Sequence, residues 1–257
     1  MLGYIYAVVS SIFFSFYIIP RKLSKLTPEL FSFLMSLGFF IGTVAVYFIF
    51  PLQHSSEKVT STLWWSIVAG IIWATSFISF VKSIDYLGLS RSNQWKNLQG
   101  PVGVLLALLM LGESTQANPF YAIIAAVFIF LSALAFTISN GKDHIAEENK
   151  GVLLALLSGL GFGTVAVIQK YVTTSTGVYT QQVVWSGTIF ISLLAYLFFK
   201  KNIAVIVQKS RKDILLAFLG GFVYLGASYF QLFSYEYIAA SIGFTLIQMN
   251  ALWTILI

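Results

Sequence analysis

The chain has 257 residues, 58% of them hydrophobic and 9% charged, with a net charge of +6, no cysteine and a mean hydropathy of +0.86. Average soluble domains carry about 25% charged residues, so this composition excludes a large soluble core and describes a chain that crosses a membrane many times. Without cysteine there are neither disulfides nor thiolate metal sites.

Windows of about 20 residues, long enough to cross a bilayer as helix, mark apolar spans near 3–20, 29–50, 63–84, 93–111, 118–139, 151–169, 180–199 and 213–235. A ninth begins near 240 and runs to Ile257. These spans are read as helices, because lipid requires each backbone group to be bonded within its own segment. The alternation that a membrane barrel needs is missing. The first span has no basic residue before it and no small-residue cleavage site after it. Pro20, Arg21 and Lys22 stand there instead, so it reads as a membrane helix and not as a signal peptide.

Assigned alternately to two sides, the connections divide the basic residues unevenly. One side collects Arg21, Lys22, Lys25, Lys82, Arg91, Lys142, Lys150, Lys200, Lys201, Lys209, Arg211 and Lys212, and the other only Lys58 and Lys170. Cytoplasmic loops carry the excess of Lys and Arg. The expected orientation therefore puts the N-terminus outside the cytoplasmic membrane, and the basic excess signals orientation, not nucleic-acid binding. His54 and His144 fall in polar loops, and no metal site or cofactor is expected.

The second span carries Gly38 and Gly42, a helix-contact pattern, and the third opens on Trp64 and Trp65, which with Trp185 read as interfacial anchors or packing residues. Beyond it come Lys82 and Asp85, one turn apart, with Lys82 expected to relieve the carboxylate. The fourth span is unusual. "SNQWKNLQGP" places Asn93, Lys96, Asn97 and Gly100 at i, i+3, i+4 and i+7, a polar stripe on one helical face. Polar and ionisable groups at membrane depth face a bundle interior or a watery cavity. Pro101 lacks an N–H, so the Asn97 carbonyl is expected to lose its helical partner and become an acceptor for a hydroxyl or a water. In the sixth span, the glycines of "SGLGFGT" (158–164) read as small residues for close helix packing, since no strand precedes them.

The chain also repeats itself. A shift of 148 aligns Gly3, Ala7, Ser10, Phe14 and Lys22 with Gly151, Ala155, Ser158, Phe162 and Lys170. A shift of 151 aligns Gly70, Ser83, Tyr86 and Ser90 with Gly221, Ser234, Tyr237 and Ser241, Asp85 with Glu236, and Trp73 with Tyr224. It also places Asn97 opposite Gln248 and Gln99 opposite Asn250. Five spans per half make the second half enter from the opposite side, an inverted repeat of the kind found in secondary transporters. The expected architecture is thus an all-α membrane protein of ten helices in two five-helix halves, 1–140 and 151–257, joined by a cytoplasmic linker at 141–150. The same repeat pairs Leu106 with Ile257, which leads to the expectation that about 34 further residues, the end of helix 9 and a tenth helix, lie beyond the chain.

With this layout, "VKSIDYLGLS" (81–90), its pattern KS-x-x-x-x-G-x-S at Lys82, Ser83, Gly88 and Ser90, and the ending "LLMLGE" (108–113) resemble the drug/metabolite transporter superfamily, in particular its glucose/ribose porter branch of bacterial sugar-uptake proteins. The resemblance implies a central cavity lined by helices 1, 3, 4, 6, 8 and 9, and alternating access to it.

Carboxamides donate and accept at once, which suits a neutral polyol, and aromatic rings offer apolar faces to a sugar. The expected substrate-binding residues are therefore Trp73, Lys96, Asn97, Gln99, Tyr224, Gln231, Gln248 and Asn250, with Gln169 as a further polar candidate. Asp85 and Glu236, at matching positions of the repeat, are expected to act as a gate or in coupling to a proton or another ion. The expected function is secondary transport of a small polar metabolite, a sugar before others. Export of amino acids, organic anions or drugs is the alternative. A membrane-embedded enzyme or a non-transporting scaffold ranks below both, because only Lys96 is ionisable at depth.

Overall fold

The computed structural model describes residues 1–113, 145–200 and 210–250, together with 120, 121, 123, 124, 127, 128, 131 and 253. Most of the predicted span 118–139, the loop at 201–209, His144 and most of the chain beyond Asn250 lie outside the described residues. Within them all regular structure is helical: α1 (Leu2–Phe16), α2 (Ile19–Leu23), α3 (Pro28–Ile49), α4 (Pro51–His54), α5 (Trp64–Lys96), α6 (Gln99–Met110), α7 (Ile145–Thr176), α8 (Val178–Phe199), α9 (Arg211–Tyr237) and α10 (Ala240–Ile247). Six stretches among the described residues are long and apolar enough to cross a membrane: Leu2–Leu23, Pro28–Ile49, Ser61–Met110, Glu147–Thr176, Val178–Phe199 and Arg211–Tyr237.

Local chemistry places the helix ends. Before α3, Thr27 accepts a hydrogen bond from the Leu30 N–H at 3.4 Å, and Pro28 takes the first turn, where its missing N–H is harmless. Two other N-termini are capped from a distance. Glu57 accepts from the N–H groups of Tyr179 and Thr180 at 2.9 and 2.7 Å, closing the start of α8. Glu113 accepts from Ala240 and Ser241 at 2.7 and 2.9 Å, closing the start of α10. Each carboxylate satisfies two orphan donors and sits at the positive end of a helix dipole.

Predicted spans three and four are joined through α5, which is not straight. Gly88 adopts φ 75° and ψ 166°, a conformation essentially reserved for glycine. Past it the chain folds back, since the Lys96 ammonium lies 5.1 Å from the centre of the Phe80 ring. Along a straight helix those residues would stand about 24 Å apart. The motif glycine of "VKSIDYLGLS" is thus where the chain reverses between predicted spans three and four.

Packing is tight where small residues allow it. A Cβ on Gly159 would lie 2.9 Å from the Lys96 carbonyl oxygen, and one on Gly163 would lie 2.8 Å from Val102 Cβ. The glycine run at 158–164 therefore serves close packing of α7 on the second part of α5 and on α6, as its composition suggests. α1 packs on α9 through its small face, with Ser10 Oγ donating to the Ala227 carbonyl at 2.7 Å. α3 packs on both α8 and α9. Trp64 and Trp65 are exposed, whereas Trp185 is buried edge-on against Phe39.

The two ends of the bundle differ. One holds the ion pairs Arg21–Asp85 at 2.5 Å, Lys82–Glu29 at 3.0 Å and Arg91–Glu148. At the other, Thr60 bonds Thr176 at 2.7 Å, Thr62 bonds Ser175 at 2.6 Å, and Lys170 donates to the carbonyls of Tyr235 and Ile238. Lys82 thus pairs with Glu29, not with Asp85 as its spacing suggests. The reach across to α3 brings a carboxylate closer than the one on its own helix, and Asp85 is taken by Arg21.

Candidate functional site

At the centre of the bundle lies a cavity of about 40 Å³, room for a few waters. Its wall is contributed by Phe14 and Tyr17 from the end of helix one, Trp73 and Lys96 from α5, Gln99 from α6, Phe162, Val165 and Gln169 from α7, Tyr224 and Gln231 from α9, and Phe244 and Ile247 from α10. Five of the eight predicted binding residues are here: Trp73, Lys96, Gln99, Tyr224 and Gln231. Gln169 joins them.

Gln248 stands one layer behind. Gln99 Nε2 approaches its Oε1 at 3.5 Å, a long contact, and Gln248 packs directly on Gly100, where any Cβ would meet its Cγ at 2.8 Å. Asn97 and Asn250 are buried but do not line the cavity. Asn250 Nδ2 donates to the Ile247 carbonyl at 2.9 Å, and its own carbonyl accepts from Ser15 at 3.0 Å. Asn97 keeps both side-chain polar atoms buried without a hydrogen-bond partner. Its backbone carbonyl, expected to be freed by Pro101, instead accepts from the Gly100 N–H at 3.0 Å. The turn at Asn97–Leu98 tightens to an i→i+3 bond and recovers the lost partner. Asn93 and Gln94 are buried within the bundle.

The break at Asn97 has a counterpart. α10 ends at Gln248, and the two capping residues have almost the same backbone angles, φ −66°, ψ −7° and φ −64°, ψ −12°. They are separated by the repeat shift of 151.

Inside the cavity the aromatic groups are locked. Trp73 Nε1 donates to Tyr224 Oη at 2.6 Å. Phe39 meets the Tyr224 ring edge-on at 5.0 Å and Tyr17 at 5.2 Å. The amide groups form a chain: Gln231 Nε2 donates to Tyr235 Oη at 2.9 Å and approaches Gln169 Oε1 at 3.4 Å, while Gln169 Nε2 has no partner. Lys96 is 3% exposed and has no carboxylate in salt-bridge range among the described residues.

Two larger cavities open at the ends. One of about 630 Å³ is lined by Arg21, Asp85, Gly88, Ser90 and Arg91, among others, at the basic end. One of about 640 Å³ at the opposite end is lined by Glu57, Lys58, Thr173, Tyr179 and Glu236, among others. Asp85 and Glu236 are thus both exposed and stand at opposite ends of the bundle. No cluster of His, Asp or Glu suited to a metal ion occurs among the described residues.

Sequence reasoning missed Phe14, Tyr17, Phe162, Val165, Phe244 and Ile247, largely apolar residues whose spacing does not distinguish a cavity wall from a packing face. Tyr17 carried a signal in Pro20, three residues on, since α1 stops at Phe16 and restarts at Ile19.

Long apolar helices gathered around a small cavity of mixed aromatic and polar lining, with a wider cavity at either end, define a multi-pass α-helical membrane protein. A family model described as sugar transport protein matches residues 3–256, and the chain belongs to that family. It is also 25% identical over 111 residues to a probable glucose uptake protein, GlcU, of Priestia megaterium. That match covers 40% of this chain and 39% of the relative, so it spans about two fifths of that protein's length.

Proposed function

We propose that this protein is a secondary transporter that carries a sugar across the cytoplasmic membrane by alternating access. One observation carries the reading. In a chain of the sugar transport family, a central cavity combines aromatic rings with hydrogen-bonding side chains, at a level where α5–α6 and α10 are both interrupted. Interrupted helices near the midplane are where inverted-repeat transporters bind their cargo.

In this reading the chain comprises two inverted halves of a ten-helix architecture, 1–140 and 151–257, with 141–150 as a cytoplasmic linker. The basic end faces the cytoplasm and the N-terminus lies outside. Trp73 and Tyr224 give the sugar ring its apolar platform. Gln99, Gln231 and Lys96 bond its hydroxyls, Gln248 backs Gln99, and Asn97 and Asn250 join the site once the cavity widens. A sugar ring is several times larger than a water, so the cavity must widen to seat it, by parting the Trp73–Tyr224 contact. The end cavities are the alternate entrances, with Asp85 and Glu236 beside them as gate or coupling groups. The described lining carries no carboxylate, which disfavours a cationic cargo.

Uptake of radiolabelled sugars into vesicles containing the protein tests the reading. Saturable uptake of at least one sugar is the expected result. No uptake of any sugar, with counterflow of amino acids or cationic drugs, overturns it.

A further inference from the structure

Lys96 is the one cation on the wall of the central cavity among the described residues. Its ammonium is nearly sealed from water and lies over the Phe80 ring at 5.1 Å, and no described carboxylate compensates it. Buried charges in proteins are paired, because an isolated one loses its hydration without return. Two amide donors on the same wall are open as well. Gln169 Nε2 is a buried donor with no acceptor, and Gln99 Nε2 is spent only on the long contact to Gln248. The cavity thus holds unspent donors and one lysine amine that no described carboxylate compensates, on a wall shared with aromatic rings.

We infer that the cargo is an acidic sugar, a monocarboxylate such as a hexuronate or an aldonate, whose carboxylate sits on Lys96 and Gln169 while its hydroxylated body lies against Trp73 and Tyr224. The inference rests on the sugar-carrier reading and specifies its substrate class. A single cation matches a single negative charge, and a phosphate with close to two charges would leave one uncompensated. An ammonium–carboxylate contact is a charge-assisted hydrogen bond, about twice as strong as a neutral one. It is stronger still out of water.

The test is competition in vesicles bearing the wild-type protein, with radiolabelled D-glucose and D-glucuronate as tracers. D-Glucuronate is expected to compete at concentrations at least tenfold lower than its uncharged isostere D-glucuronamide. Lys96→Gln is expected to lower the ratio of glucuronate to glucose uptake at least tenfold, and Lys96→Arg to restore most of it. Should either variant fail to insert, the wild-type competition decides alone. Equal competition by glucuronate, glucuronamide and glucose overturns the acidic-sugar inference and leaves the sugar carrier standing. Transport of none of the three, with no competition from other sugars, removes the sugar carrier itself.

Discussion

Trp73 and Tyr224 stand 151 residues apart and meet through a 2.6 Å hydrogen bond from the indole N–H to the phenol oxygen. That separation is the repeat shift which aligns the two halves of the sequence. In an inverted-repeat fold, equivalent residues touch each other only near the axis that relates the repeats. Both residues stand on the wall of the central cavity, and in the proposed two-halved carrier their contact is the one that parts when the cavity widens.

Trp73→Phe and Tyr224→Phe each remove this bond and keep an aromatic ring in place. Interhelical hydrogen bonds in membrane proteins contribute on average about 0.6 kcal/mol and at most about 1.7 kcal/mol. Tyr224→Phe is expected to lower stability in detergent by that order, Trp73→Phe by more because it also empties part of the buried indole's space, and the double variant by less than the sum, since only one bond is lost. Full additivity would show that the two rings act independently. Tyr224→Ala is expected to cost about 3–5 kcal/mol by opening a void among Phe39, Tyr17 and Trp73.

Glu113 gives the second prediction. It is 4% exposed and holds the N-terminus of α10 through two backbone N–H groups. Glu113→Ala leaves both donors buried and unsatisfied, at about 1–3 kcal/mol each. Glu113→Gln keeps one acceptor oxygen and loses the charge that favours a helix N-terminus, and is expected to cost about 1 kcal/mol. Thermal unfolding in detergent should rank the wild type above Gln and Gln above Ala. Equal midpoints for all three would remove the capping role.

The all-helical membrane character was largely legible in the sequence, because hydropathy acts over whole helices. The polar stripe at Asn93–Gly100 correctly marks a buried surface, and Lys96 and Gln99 do line the cavity. Asn97, on the same stripe, lies outside its wall. One helical face points in a single general direction, but a break in mid-stripe re-aims the residues beyond it, and periodicity cannot foresee that break. The role of Glu113 is hidden for another reason. Its partners are backbone groups 127 and 128 residues away, and backbone donors leave no trace in residue type. Likewise local spacing points Lys82 to Asp85, while the fold gives each a partner from another helix.

Gly88→Ala isolates a conformational effect. A Cβ at this position would meet nothing within 4 Å, so the substitution fills no occupied space. What it adds is the strain of an L-residue at φ 75° and ψ 166°, of order 1–3 kcal/mol. Since the chain reverses at this residue, yield of folded protein and its melting midpoint are both expected to fall. A midpoint equal to the wild type would mean that the reversal does not depend on glycine.

Alternating access itself is tested at Asn97 and Gln248, the equivalent residues at which α5 and α10 end. Asn97 has two buried polar atoms without partners, and Gln248 has one. Each such atom costs about 1–3 kcal/mol, so a conformation that wets these amides recovers part of that free energy. The chain has no cysteine, so Asn97→Cys and Gln248→Cys can each be studied as the sole thiol, with no background to remove. Both positions are closed to solvent here, at 3% and 8% exposure. If the two halves rock about the cavity, a membrane-impermeant maleimide should reach each thiol from both sides of the membrane in turn. Added sugar should then shift the balance between the sides severalfold. Labelling from one side only, at a rate indifferent to every sugar, would rule out the rocking mechanism and leave a static vestibule in its place.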